Sequence, residues 1–184
     1  MRNPIFIALL LAITACAPQQ IVKKNTLPMT ANAPHADMPN INLESAIYEL
    51  PVREGVSYQD VIDSLKSISE GMNYVNPANF PIAENMKKRG IDPQGIKEVR
   101  SYCNLGQGTE IMLDHPEFLV FAPCRIAIYE KPDANKKFKL YLALDRPTFD
   151  LKSIKNPTAR AQKAAQELEA GLLELIYKAS KGDF

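Results

Sequence analysis

The stretch RIAIYEKPDANKKFKLYLALD, residues 125–145, decides the architecture. RIAIYEK alternates two isoleucines with other residues and KFKLYLALD carries Phe138, Tyr141 and three leucines, and Pro132, Asp133 and Asn135 between them are turn formers. The pattern predicts a β-hairpin. In its second strand Phe138, Leu140, Leu142 and Leu144 fall on one face, so that face needs a cover.

The cover follows in sequence. Ala161, Ala164, Ala165, Leu168, Leu172, Leu175, Ile176 and Ala179 form one continuous helical stripe. Asn156 is expected to cap this helix, with Pro157 at its first position. Its polar face is expected to carry Glu167, Glu169 and Glu174. Such a mixture favours packing on a sheet over lying on a membrane.

Working toward the N-terminus, IKEVRSYC (residues 96–103) reads as a strand, TEIMLDH (109–115) as a helix and PEFLVFA (116–122) as a further turn. Residues 81–90 suggest a short helix, with Lys87, Lys88 and Arg89 complementing the dipole at its end and Gly90 stopping it. In SYQDVIDSLKSISEGM, Ser57 with Asp60 is a capping signal, and Val61, Ile62, Leu65 and Ile68 share one face. Ala46–Gly55 hints at a strand, with Pro51 arguing for an edge, and NYV (73–75) at another. The order is β-α-(β)-α-β-α-β-β-α, an α+β pattern with helices on one face of a small sheet.

The first residues give an address. MRNPIFIALLLAITAC has one cation, Arg2, an apolar run from Ile5 to Ile13, and small residues before Cys16. This is a signal-peptide layout, too short in its apolar part to span a bilayer. The ending ITAC resembles the bacterial lipobox, which implies cleavage after Ala15 and diacylglycerol on Cys16, with multiple acyl chains giving stable anchoring. Ala17 in place of Asp favours the outer membrane. Residues 1–15 are therefore expected to be a signal peptide, 16–44 a flexible tether rich in Pro, Ala and Asn, and 45–181 the domain. Met29, His35 and Met38 in the tether could bind copper, but an ordinary linker accounts for them.

The 184-residue chain has a formal charge of +1. No strong field points to nucleic acid. After removal of residues 1–15 and lipidation of Cys16, Cys103 and Cys124 are the only free thiols left, in a compartment where disulfides persist. A disulfide between them closes a 20-residue stretch and contributes about 3 kcal/mol in the loop-entropy model. The alternative is a metal, haem or thiol-redox site built on Cys103, Met112, His115 and Cys124, since Cys, His and Met together suit copper and Cys with His suits zinc. The spacing contains neither C-x-x-C nor C-x-x-C-H. NLGQGTE (104–110) lacks the third glycine of a dinucleotide loop and the G-K-[ST] of a P-loop, so Gly106 and Gly108 are read as turn residues. With one histidine outside the tether, no nucleophilic triad can be assigned.

SYCNLGQGTEIMLDHPEFLVFAPCRIAIYEKPDANKKFKLYLAL (101–144) and EGVSYQDVIDSLKSISEGMNYV (54–75) resemble the DUF302 (TT1751-like) family. The resemblance rests on Asn104 after a strand, on Asp114-His115-Pro116, and on PCRIAIYE (123–130) leading into the hairpin. It covers roughly residues 46–180, with NLGQG replacing a more usual NP start and residues 76–95 looking like an insertion. It implies a TBP-like β-α-β(4)-α fold with the long last helix on the sheet. It also implies a frequent homodimer, two cysteines as in a subset of members, and no established catalytic residues; no cofactor is expected. The expectation is an outer-membrane lipoprotein with a periplasm-facing domain. That domain binds a small ligand or an envelope protein and is not an enzyme.

Overall fold

The computed structural model describes residues 30–184. The expected signal peptide, Cys16, Met29 and the first part of the tether lie outside the described residues. Seven strands and five α-helices follow in chain order. Strands β1 (Thr30–Ala31) and β2 (Ile41–Asn42) pair with each other. The remaining strands are β3 (Ile47–Pro51), β4 (Asn79–Phe80), β5 (Lys97–Tyr102), β6 (Cys124–Pro132) and β7 (Phe138–Asp145). They form one antiparallel sheet in the order β3-β7-β6-β5-β4. The helices are α1 (Tyr58–Gly71), α2 (Ile82–Lys87), α3 (Leu105–Met112), α4 (Pro147–Asp150) and α5 (Ala159–Lys181). This is the expected α+β architecture with its long C-terminal helix.

The period-2 pattern of the hairpin sets the core. β6 turns Ile126 and Ile128 inward, and β7 turns Leu142 and Leu144 inward; all four are fully buried. Leu140 is half-buried and Phe138 exposed, so burial falls off toward the hairpin tip. Tyr48 and Leu50 of β3 extend the same face. Helix α1 brings Val61, Leu65 and Ile68 to it. Its start is a reciprocal capping box between Ser57 and Asp60, which satisfies two otherwise unpaired N–H groups. Helix α5 buries every residue of the predicted stripe. It ends at Gly182, whose φ of 70° is the left-handed C-terminal conformation that glycine adopts without steric cost. No helix among the described residues is long and apolar enough to cross a membrane.

Three expectations are corrected. The cap of α5 is Thr158, whose hydroxyl accepts from the Ala161 N–H at 3.1 Å; Asn156 lies two residues earlier, at φ 54°. Glu169 does not face solvent. It is 5% exposed and pairs with Arg146, 3% exposed, at 2.9–3.0 Å. Residues 30–44 are not free tether. His35 stacks on Tyr177 of α5 at a centroid distance of 3.7 Å, and its Nε2 lies 2.5 Å from Glu174 Oε2. Met38 and Ile41 are buried, Tyr48 donates to the Pro39 carbonyl at 2.6 Å, and Arg146 Nη1 donates to the carbonyls of Asn42 and Ser45 at 2.7 and 2.8 Å. This segment is a strap held on the domain by apolar burial and charge-assisted hydrogen bonds.

Near Arg146 sits a titrating group. Burial, with Asp145 second, pushes the half-buried Asp150 carboxyl up from 3.8 to about 6. A raised folded-state pKa means that stability is fully present below pH 3.8 and is lost as pH rises through about 6. Asp150→Asn removes this loss. After allowance for solvent screening, the variant is expected to be about 1 kcal/mol more stable at pH 7.5, with the gain vanishing near pH 4. Urea melts of both proteins across pH check this; a pH-independent difference contradicts it.

Candidate functional site

Cys103 and Cys124 stand at the two strand ends where the chain leaves and re-enters the sheet. Tyr102, the last residue of β5, is the register partner of Cys124, the first of β6. Cys103 is thus one position out of register with Cys124. Its own backbone pairs with Val75 through two 2.9 Å hydrogen bonds. Asn104 then starts α3 by accepting from the Gln107 N–H at 3.2 Å. A 3₁₀ segment, Pro116–Phe121, returns the chain to β6 through a cis Ala122–Pro123 bond.

The two thiols line one small cavity of about 20 Å³. Met112 at the end of α3, Phe118 of the 3₁₀ segment and Leu168 of α5 supply the other large side chains. Gly108 forms part of the wall. A Cβ there would lie 3.5 Å from Met112 Cε and 3.9 Å from Cys103 Sγ. Both cysteines are free thiols. Burial pushes the Cys124 thiol up to about 12, with the neighbouring Cys103 adding to it, and burial also raises Cys103. Burial hinders ionisation because a thiolate loses its hydration. Tyr74 packs behind the pair. Its hydroxyl donates to the Leu168 carbonyl at 3.2 Å, and burial, then the two cysteines, raise its pKa.

The four residues considered for a metal therefore divide. Cys103, Met112 and Cys124 share the cavity. His115 does not line it: its Nε2 accepts from the Thr158 N–H at 3.0 Å, and its Nδ1 lies 3.5 Å from Glu117. Asp114 beside it accepts from the Thr158 hydroxyl at 2.6 Å and from Arg160 at 3.0 Å. Arg160 and Thr158 hold the Asp114 carboxyl down at about 2. Asp114 and His115 thus tie the end of α3 to the start of α5. Among the described residues, no group of three or more His, Cys, Asp or Glu is placed to hold a metal.

Gly106 and Gly108 lie inside α3 rather than in a turn. Helix α3 begins four residues earlier than TEIMLDH indicates, because Asn104 caps it and the two glycines are accommodated within the helix. Sequence reasoning missed Gly108, Phe118, Leu168 and Tyr74 as neighbours of the thiols. Only Tyr74, an aromatic residue in a short predicted strand, left any signal, and nothing in its spacing points to Cys103.

The chain matches the family described as "Domain of unknown function DUF302" over residues 48–176. An uncharacterized protein of Aquifex aeolicus (strain VF5) is 32% identical over 92 residues, which cover 50% of this chain and 57% of that protein. The chain thus spans little more than half the length of that relative. A crystal structure of an uncharacterized conserved DUF302 protein from Bacillus stearothermophilus superposes with a TM-score of 0.62 at 16% identity, covering 73% of this chain and 98% of that one. That likeness is one of fold.

Proposed function

The chain belongs to the DUF302 family, and from that premise we propose that it is a bacterial envelope lipoprotein. It is anchored to the outer membrane through an acylated Cys16, and its α+β domain faces the periplasm as a binding module. Cys103 and Cys124 are its paired thiols and close into a disulfide there. One observation carries the pairing: two thiols at neighbouring strand ends, one position out of register, open onto the same small cavity. The ITAC ending at Cys16 carries the anchor.

Pairing is an exchange with an oxidising disulfide of the compartment. A Cys103 or Cys124 thiolate attacks that disulfide and releases one thiol. The second cysteine then displaces the other thiol, leaving one new S–S bond and a reduced oxidant. Because burial holds both thiols protonated, the exchange is expected to be slow and the finished bond hard to reach.

The bond constrains the unfolded chain across residues 104–123, so the oxidised protein is expected to be about 3 kcal/mol more stable than the reduced one. Urea unfolding with and without reductant measures this. A Cys103→Ala/Cys124→Ala variant insensitive to reductant is the control, and identical unfolding of the natural chain in both conditions contradicts the pairing. For the anchor, Cys16→Ala is expected to lose incorporation of a fatty-acid probe; retained labelling refutes it.

A further inference from the structure

We propose that the reduced protein binds one copper(I) ion between Cys103, Cys124 and Met112. The inference rests on the reading of Cys103 and Cys124 as one functional pair and adds the thioether and the ligand. Three sulfur-bearing side chains line a single cavity of about 20 Å³, room for one water-sized occupant. The facing large side chains, Phe118 and Leu168, are carbon only, and no carboxylate or imidazole reaches the cavity. Donor chemistry then selects the ion. Thiolates with a thioether are a soft set that favours copper(I). Structural zinc wants four N, S or O ligands, and calcium and magnesium want oxygen. His115, which with the two thiols would also suit zinc, is occupied at Thr158. Gly108 lies in α3 within reach of two of these side chains, where a methyl group would make ordinary contact with Met112 Cε at 3.5 Å and Cys103 Sγ at 3.9 Å.

Binding forms two copper–thiolate bonds and one copper–thioether contact. Both S–H bonds break and their two protons go to water. Copper stays in the +1 state, so no oxidant or reductant is consumed. The disulfide uses the same two sulfurs, which makes the copper-binding form the reduced one and makes oxidation a release step.

The test offers copper(I) to the reduced full chain under anaerobic conditions as a coloured chelator complex and follows transfer to the protein. One copper per chain is expected. Met112→Leu, close in volume, is expected to keep the fold and weaken binding about tenfold or more. Cys103→Ser is expected to abolish uptake. No uptake by the folded, reduced protein overturns the proposal, as does uptake of unchanged affinity in Met112→Leu. A chain that forms the disulfide yet takes no copper when reduced defeats the copper site alone. A chain that takes copper but never forms the disulfide defeats the pairing alone.

Discussion

Replacing Arg146 with methionine is expected to cost about 3–5 kcal/mol, enough to leave the protein marginally folded. Arg146 is 3% exposed and faces Glu169, 5% exposed, at 2.9–3.0 Å. Removing the cation leaves a buried carboxylate whose remaining partner is Thr148, through its N–H at 3.0 Å and its hydroxyl. It also removes the guanidinium hydrogen bonds to the carbonyls of Asn42 and Ser45, which hold the strap. Two readouts are expected to move together: the urea midpoint falls, and residues 30–45 become sensitive to limited proteolysis. The double variant Arg146→Met/Glu169→Leu removes both charges and is expected to recover most of the stability while leaving the strap loose. A single variant that loses under about 1 kcal/mol contradicts the buried-pair account.

Gly171→Ala is the second large effect, and its sign is opposite to ordinary helix propensity. In an exposed helix interior the change gains about 1 kcal/mol. Here the new Cβ falls 2.3 Å from the hydroxyl of Tyr74 and 3.2 Å from its Cζ. Tyr74 is buried and its hydroxyl bonds the Leu168 carbonyl, so it cannot move aside freely. The expected outcome is a loss of about 1–3 kcal/mol from overpacking. Tyr74→Phe removes the closest atom, so a double-mutant cycle between the two positions is expected to show favourable coupling of about 1–2 kcal/mol. Additivity of the two changes places the origin of the loss elsewhere.

Much of this architecture is readable from periodicity. The α5 stripe and the inward leucines of β7 announce themselves because one repeat covers a whole element. What is not readable depends on partners remote in sequence. The strap looks like linker because its aromatic, acidic and cationic contacts sit on α5 and just after β7; His35 and Glu174 are 139 residues apart. Strand β5 reads weakly because two of its inward positions carry an ion pair, Glu98 with Arg100 at 2.7 Å. Glu169 looks like surface because its partner Arg146 lies on another element. Asn156 looks like the better cap, but Thr158 bonds both Ala161 and Asp114, and that tertiary contact fixes the helix start.

The candidate site divides along the same line. Cys103 and Cys124 are visible as a pair because they are scarce. Met112 and His115 are indistinguishable as candidates in the linear sequence, three residues apart. Helix α3 ends at Met112 and leaves it on the cavity, while His115 beyond the helix reaches Thr158 instead. Gly108, read as a turn residue, lies within a helix, in reach of Met112 Cε and Cys103 Sγ.

Whether Cys103 and Cys124 act as one unit is read from the intact mass. The native chain, recovered from an oxidising compartment, is denatured in acid without reductant and treated with a thiol alkylator. A mass two hydrogens below the reduced form is expected, with no label on Cys103 or Cys124, and two labels after reduction. Two labels taken up at once by the unreduced chain would contradict it.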